Sequence, residues 1–288
     1  MNLYVNQTKN RPALRDDIYQ GDIFLDTSLR SAYDLCALAR ASITQAFDGE
    51  TDHQSLHKMM PVESFVERVT ALKRHFTNGG EAKALIQAFI LEIGADPGEY
   101  LFDVPRVRVV PHYDYLHAGV SYAYKPHRDT WYGNVDCQIN TWMPLYSLKP
   151  EQTMMINPAY FNRPVNNSSD GWSLEHWITE QRFKAKENIT QENRVHPVPL
   201  EEIDDRSELR IASNSGEMLI FSGSHLHGTV ANTTDQVRFS VDFRLIHLQD
   251  LINKRGAPNV DNGCIDAHAG FKDLFHAKDF SRFQGVNP

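Results

Sequence analysis

Val237-Arg238-Phe239-Ser240-Val241-Asp242-Phe243-Arg244-Leu245-Ile246-His247 alternates apolar and polar side chains, the period of a β-strand with one face on a core. Arg238, Ser240 and Arg244 share its polar face. Working outward, the same β-branched and aromatic texture returns in Arg106–Val110, Val120–Tyr124, Cys137–Leu145 and Glu217–Phe221, with Pro, Gly, Asn and Asp between the runs. In Cys137–Leu145, Gln138, Asn140 and Trp142 point one way, and Cys137, Ile139 and Thr141 the other. From about Tyr100 the chain therefore reads as antiparallel β-structure.

The first third reads as helical. Thr27 or Ser28 stands as an N-cap ahead of Leu29, Ala32, Tyr33, Cys36, Ala39, Ile43 and Phe47 at helical spacing. Pro61 suits the first turn of a second helix carrying Phe65, Val66, Val69, Leu72 and Phe76. A third helix covers about Glu81 to Ile93 and stops at Gly94. The expected assembly is one domain over residues 1–288: helical support in 1–99, a barrel of two antiparallel layers in 100–250, and a tail in 251–288 with a short helix from Phe271 to Phe280. Residues 157–194, polar and carrying Trp172 and Trp177, form an insertion placed to act as a lid.

The formal net charge is −8 and no block of Lys and Arg occurs, so neither nucleic acid nor an anionic membrane surface is an expected partner. Met1 to Asp17 is polar, and no apolar run approaches the ~20 residues of a membrane helix. Cys36, Cys137 and Cys264 are far apart and include no C-x-x-C pair, which fits a reducing cytoplasm and neither a disulfide framework nor a thiolate zinc site. The oligomeric state is not legible.

In Tyr124-Lys125-Pro126-His127-Arg128-Asp129-Thr130, His127 and Asp129 are two apart, so in extended chain both face the same way. A further histidine follows the apolar run Met218–Phe221, as His225 or His227 in Gly223-Ser224-His225-Leu226-His227-Gly228-Thr229. Two histidines and one carboxylate on one face of an octahedral iron(II) leave three positions for cosubstrate and oxygen. Arg238 stands eleven positions after His227, and a guanidinium can hold a carboxylate of 2-oxoglutarate in a bidentate pair. Arg244 is the alternative anchor on the same strand face. His127-Arg128-Asp129 with Asn134 also matches the spacing of a kinase catalytic loop, but a glycine-rich loop and an Asp-Phe-Gly string are missing.

The stretch Gly216-Glu217-Met218-Leu219-Ile220-Phe221-Ser222-Gly223-Ser224-His225-Leu226-His227-Gly228-Thr229, with Asn232 and Arg238 beyond it, resembles the distal motif of the phytanoyl-CoA dioxygenase-like family. His127-x-Asp129 stands where that family carries its proximal motif, and the resemblance covers about residues 100–247. It implies a double-stranded β-helix (jelly-roll, cupin-like), iron(II), 2-oxoglutarate and O2, and oxidation of an unactivated C–H bond with release of succinate. In the family pattern the ligand directly precedes the Gly-Ser/Thr pair, which takes His227 over His225 and leaves His225 as packed core or support. Arg-x-Ser is a recurring carboxylate pair in related dioxygenases, which makes Ser240 a cosubstrate contact or a plain strand serine; Gln138 and Asn140 are candidate cosubstrate contacts or barrel lining, and Thr229 a candidate contact or part of the turn after His227. Asp129 argues against halogenation, because halogenating relatives replace the acid with a small residue. Trp131, Tyr132, Tyr124, Tyr122 and Arg108 are the substrate-pocket candidates. The expected activity is hydroxylation of a small polar metabolite, possible also as desaturation, cyclisation or ketone formation; the rival reading is a cupin-like metal enzyme that uses no 2-oxoglutarate.

Overall fold

The computed structural model describes residues 1–122 and 124–285, apart from the side chains of residues 267 and 268. Eleven strands are seen among the described residues: β1 (Leu3–Val5), β2 (Ile23–Asp26), β3 (Tyr100–Asp103), β4 (Arg106–Val110), β5 (Gln138–Pro144), β6 (Met154–Asn157), β7 (Leu209–Arg210), β8 (Met218–Ser222), β9 (Leu226–Thr229), β10 (Arg238–His247) and β11 (Leu274–His276). The helices that precede the main strands are α1 (Leu14–Tyr19), α2 (Arg30–Ala46), α3 (Leu56–Met59), α4 (Val62–Asn78) and α5 (Gly80–Glu92).

A large mixed sheet runs β1-β2-β8-β5-β10-β3-β11, with β4 also paired to β10; a small one runs β7-β6-β9. β10 is the longest strand and organises the large sheet. Its Phe239, Val241, Phe243 and Leu245 are fully buried in a core shared with Leu35, Ala39 and Ile43 of α2, Val66 and Val69 of α4, and Ile86 and Phe89 of α5. A second cluster, Ile23, Trp142, Met154, Ile156, Ile211, Leu219 and Phe221, joins the two sheets. At about 25 cal/mol per Å² of apolar surface, these two layers supply the main driving force for folding.

The three long helices and the strands β4, β5, β8 and β10 agree with the expectation to within a residue or two. Four particulars differ. The N-terminus of α2 is not capped by Thr27 or Ser28: the Glu92 carboxylate at the end of α5 accepts the N–H groups of Arg30 (2.9 Å) and Ser31 (3.0 Å). Pro61 is itself the N-cap residue of α4, one position outside the helix. In the run Val120–Tyr124, Ala123 lies outside the described residues; the rest holds a 3-10 turn, Gly119–Ser121, because Gly119 adopts a left-handed φ of 59° that no strand permits. The expected helix Phe271–Phe280 is replaced by a 3-10 turn ending at Asp273 and by β11, which pairs with β3. Edge pairing with a strand more than a hundred residues away wins there over local propensity. The tail residues 286–288 lie outside the described residues.

No disulfide joins the cysteines: Cys36, Cys137 and Cys264 are free. Among the described residues no helix is long and apolar enough to cross a membrane.

Candidate metal centre

The distal motif leaves the large sheet at the end of β8, turns through Gly223-Ser224-His225, and enters the small sheet as β9. His227 on β9 forms an antiparallel bridge with His127. Asp129 follows as the first residue of a 3-10 turn, its N–H donating to the Gly223 carbonyl at 2.9 Å. Three ligand atoms from His127, Asp129 and His227 lie within 4.8 Å of one another, and all three residues are buried. Both imidazoles are oriented by the backbone. Nδ1 of His127 donates to the Lys125 carbonyl at 2.8 Å, and Nδ1 of His227 to that of His225 at 2.9 Å. Carbonyls only accept, so each ring presents Nε2 as a lone pair. Those two nitrogens stand 3.6 and 3.8 Å from Asp129 Oδ1. Gly228 permits the close approach of strands: a Cβ there would sit 3.1 Å from the Tyr124 carbonyl oxygen and the Pro126 nitrogen.

Asp129 Oδ2 is held separately. Gln138 and Asn140 each donate to it at 2.7 Å, Gln138 also donates to Asn140 Oδ1 at 2.8 Å, and Arg244 Nε lies 3.5 Å away. Burial alone would raise this carboxyl's pKa; the Arg244 guanidinium is the main influence that overcomes it and holds the acid well below its usual range. Burial, then the neighbouring His127, bring His227 down to about 4, so it stays a neutral donor. Two imidazole nitrogens and one anionic oxygen, fixed on one side of a shared point, suit a first-row divalent metal with open positions opposite.

His225 sits in the turn before β9, where strand alternation does not apply. Its ring packs on Phe161 and Phe221, with its nitrogens 3.2 Å from the Ser222 carbonyl and 3.1 Å from that of Gly21. It faces away from the triad.

A cavity of about 880 Å³ opens from the triad and is lined from both sheets, α4 and the insertion. Arg238 enters it from β10, buried, with Nε and Nη1 lacking any hydrogen-bond partner among the described residues and the guanidinium 5.9 Å from the Trp142 ring centroid. Burial first, and then Arg108, lower its pKa to about 10, yet it remains a cation. Arg244 is engaged already, with Asp103 at 3.0 Å and with Asp129. A buried guanidinium without an anion is costly, and a carboxylate ligand would satisfy it. Ser240 lies on the same strand face, buried, with its hydroxyl also unpartnered. Thr229 lines the cavity beside His227.

Tyr122, Tyr124, Tyr132 and Arg108 line the cavity. Trp131 does not. It is fully buried, and its indole N–H donates to Asp261 at 2.7 Å. The other Asp261 oxygen accepts from Arg128 at 3.0 Å and from the Val165 N–H at 2.9 Å, tying the proximal loop to the C-terminal tail. Trp131 follows the ligands in sequence, but the 3-10 turn that begins at Asp129 rotates it into the core. Arg108 makes a two-pronged pair with Asp242 at 2.6 and 2.8 Å.

The insertion contributes Trp177, Ile178 and Arg194 to the cavity wall. It is clipped on at Gly119, whose N–H donates to Glu192 and whose carbonyl accepts from Arg194, both at 3.0 Å. His196 just beyond it stacks on Tyr122 at 4.3 Å and lies 3.2 Å from the Tyr132 hydroxyl. His196 and Lys73 carry no motif and were invisible to sequence reading.

No family model matches the chain, and no curated protein matches it. Solved structures match the chain over part of its length. A non-heme monooxygenase, ThoJ, shows 14% identity over 72% of this chain and 70% of its own, with a TM-score of 0.42. EvdO2 from Micromonospora carbonacea var. aurantiaca, complexed with 2-oxoglutarate, shows 12% identity over 59% of this chain and 61% of its own, at a TM-score of 0.39. SnoN, a non-heme alpha-ketoglutarate-dependent epimerase from nogalamycin biosynthesis, shows 11% identity over 82% and 84%, at 0.39. Likeness at this level sets neither the reaction nor the substrate of this chain.

Proposed function

We propose that this chain is a single-domain, cytoplasmic iron(II)- and 2-oxoglutarate-dependent oxygenase of the phytanoyl-CoA dioxygenase-like kind, with a double-stranded β-helix at its centre, acting on a C–H bond of a small molecule. One observation carries the reading: the buried His127, Asp129 and His227 cluster shares its cavity with the anion-free guanidinium of Arg238. A metal site alone fits many enzymes. A metal site facing an unpaired buried arginine fits a cosubstrate that is both a chelator and a carboxylate.

His127 Nε2, Asp129 Oδ1 and His227 Nε2 would hold the iron. When bound, iron(II) supplies oxygen activation coupled to decarboxylation of the keto acid, giving succinate, carbon dioxide and an oxidised substrate. Gln138, Asn140 and Arg244 fix the free oxygen of Asp129, so the carboxylate keeps its orientation and stays ionised. Arg238 would receive the distal carboxylate of 2-oxoglutarate in a charge-assisted pair, with Ser240 and Thr229 as neighbouring donors. Gln138 and Asn140 serve the metal ligand in this reading rather than the cosubstrate. Tyr122, Tyr124 and Tyr132 wall the substrate side, and the insertion excludes water from it. Hydroxylation is the default outcome; desaturation or cyclisation needs no other residues.

Anaerobic addition of 2-oxoglutarate to the iron(II)-loaded protein tests the reading. A visible metal-to-ligand absorption band is expected, and Arg238→Ala should bind iron normally while weakening 2-oxoglutarate about 100-fold, the loss of about 2.7 kcal/mol. Stoichiometric iron with no band, or full activity of Arg238→Ala without the keto acid, favours the cupin-like alternative instead.

A further inference from the structure

The cavity holds more positive charge than the metal site and one cosubstrate carboxylate can use. Of the charged residues along its wall, Arg106, Arg182 and Arg244 pair with Asp103, Asp273 and Asp129, and Arg74, Lys186 and Arg282 are exposed. That leaves Lys73 of α4, Arg108 of β4, Arg194 of the insertion and Arg238 of β10 against Asp242 in the wall and Glu192 beside Arg194. Arg108 is neutralised by Asp242 at 2.6 Å, and Arg194 by Glu192 at 2.7 Å. Among the described residues, Arg238 and Lys73 have no such partner. The Lys73 ammonium donates to the Val120 backbone carbonyl, and among the described residues no carboxylate reaches it. Thr70, Lys73 and Thr77 form one stripe of α4 that faces the cavity, beside the stripe of Val69, Leu72 and Phe76 that packs in the core. Lys73 therefore points inward by helix geometry.

This is a costly placement in a chain of net charge −8. The Lys73 side chain is half-buried, and an ammonium drawn inward without a counter-charge is held there against its desolvation. Burial, followed by Arg108, lowers Lys73 to about 7, the behaviour of a cation short of an anion. In the function proposed above, on which this inference rests, Arg238 is taken by 2-oxoglutarate, and Lys73 is left over.

We infer that the substrate is an organic oxyanion, a carboxylate or phosphate monoester, whose charged end is bound by Lys73 next to Arg108 while its carbon skeleton lies against Tyr122, Tyr124 and Trp177 toward the metal. The cations come from four separate elements, so no basic run marks them in the sequence. The volume of about 880 Å³ leaves room for such a molecule beside the cosubstrate.

The test uses the full chain loaded anaerobically with iron(II) and saturating 2-oxoglutarate, titrated at pH 6.5 with benzoate, phenyl phosphate and neutral benzamide, binding being read by calorimetry. At least one of the two anions should bind tenfold or more tightly than benzamide, and which one does separates a carboxylate from a phosphate substrate. Lys73→Met should erase the preference while leaving the 2-oxoglutarate absorption band unchanged; Lys73→Arg should keep it. Equal binding of benzamide, no binding of either anion, or an undiminished preference in Lys73→Met overturns the inference. The band separates the two claims: its absence in the parent protein removes the oxygenase reading, whereas a normal band without anion preference defeats the substrate class alone.

Discussion

His127 and His227 exchange both of their backbone hydrogen bonds, His127 N–H to the His227 carbonyl at 2.8 Å and His227 N–H to the His127 carbonyl at 2.9 Å. The two imidazoles are thereby placed side by side, ring centroids 4.5 Å apart, before any metal enters. Such a cross-strand pair presents its side chains on one face of the ladder.

This pairing separates His227 from His225 by experiment. His227→Ala should lose stoichiometric iron(II) while retaining the fold, as read by metal analysis and circular dichroism. His225→Leu should keep iron but lower stability by about 1–3 kcal/mol, since the buried Gly21 carbonyl loses the ring as its partner. Loss of iron in His225→Leu with iron retained in His227→Ala would reverse the assignment.

Asn140 acts on the metal through Asp129. Replacing it with Leu removes one of the donors that lock Asp129 Oδ2. Iron affinity should drop about 10–100-fold, the usual cost of losing a support behind a ligand. The dissociation constant measured by competition with a chelator checks this. If only 2-oxoglutarate affinity changes, Asn140 is a cosubstrate contact after all.

Trp131→Phe should leave substrate and cosubstrate affinities alone. It removes the donor to buried Asp261 Oδ1, an unsatisfied acceptor worth about 1–3 kcal/mol. A thermal melt should show a Tm lower by several degrees, on the scale of about 2–4 °C per kcal/mol for a chain of this size.

Glu92 gives a pH signature. Burial would raise its carboxyl, but the Ser31 and Arg30 N–H groups and Lys9 outweigh that and hold it at about 2, against an ordinary value of 4.5. A depressed folded-state pKa stabilises above the unfolded value and is lost as pH falls through the folded one. Glu92→Gln should therefore cost about 1 kcal/mol near neutral pH, the scale of a lost helix cap, with the gap closing between pH 4.5 and about 2. Urea denaturation at several pH values would show it, and a constant gap would contradict it.

The sequence by itself determined whatever depends on neighbours along the chain. The helical periods of α2, α4 and α5, the alternation of β10 and the His127-x-Asp129 pair are all local; the structure has those helices and that strand, and it places His127 and Asp129 close together. Tertiary structure decided the rest. It turned His225 toward Gly21 and His227 toward Asp129, occupied Arg244 with Asp103 while leaving Arg238 unpaired, drew Gln138 and Asn140 onto Asp129, and swung Trp131 onto Asp261. These outcomes turn on which distant backbone pairs with which, and on whether a charge meets its partner after the chain closes. Period and spacing say which face a side chain takes on its own element; only the packing of one element against another says what that face meets.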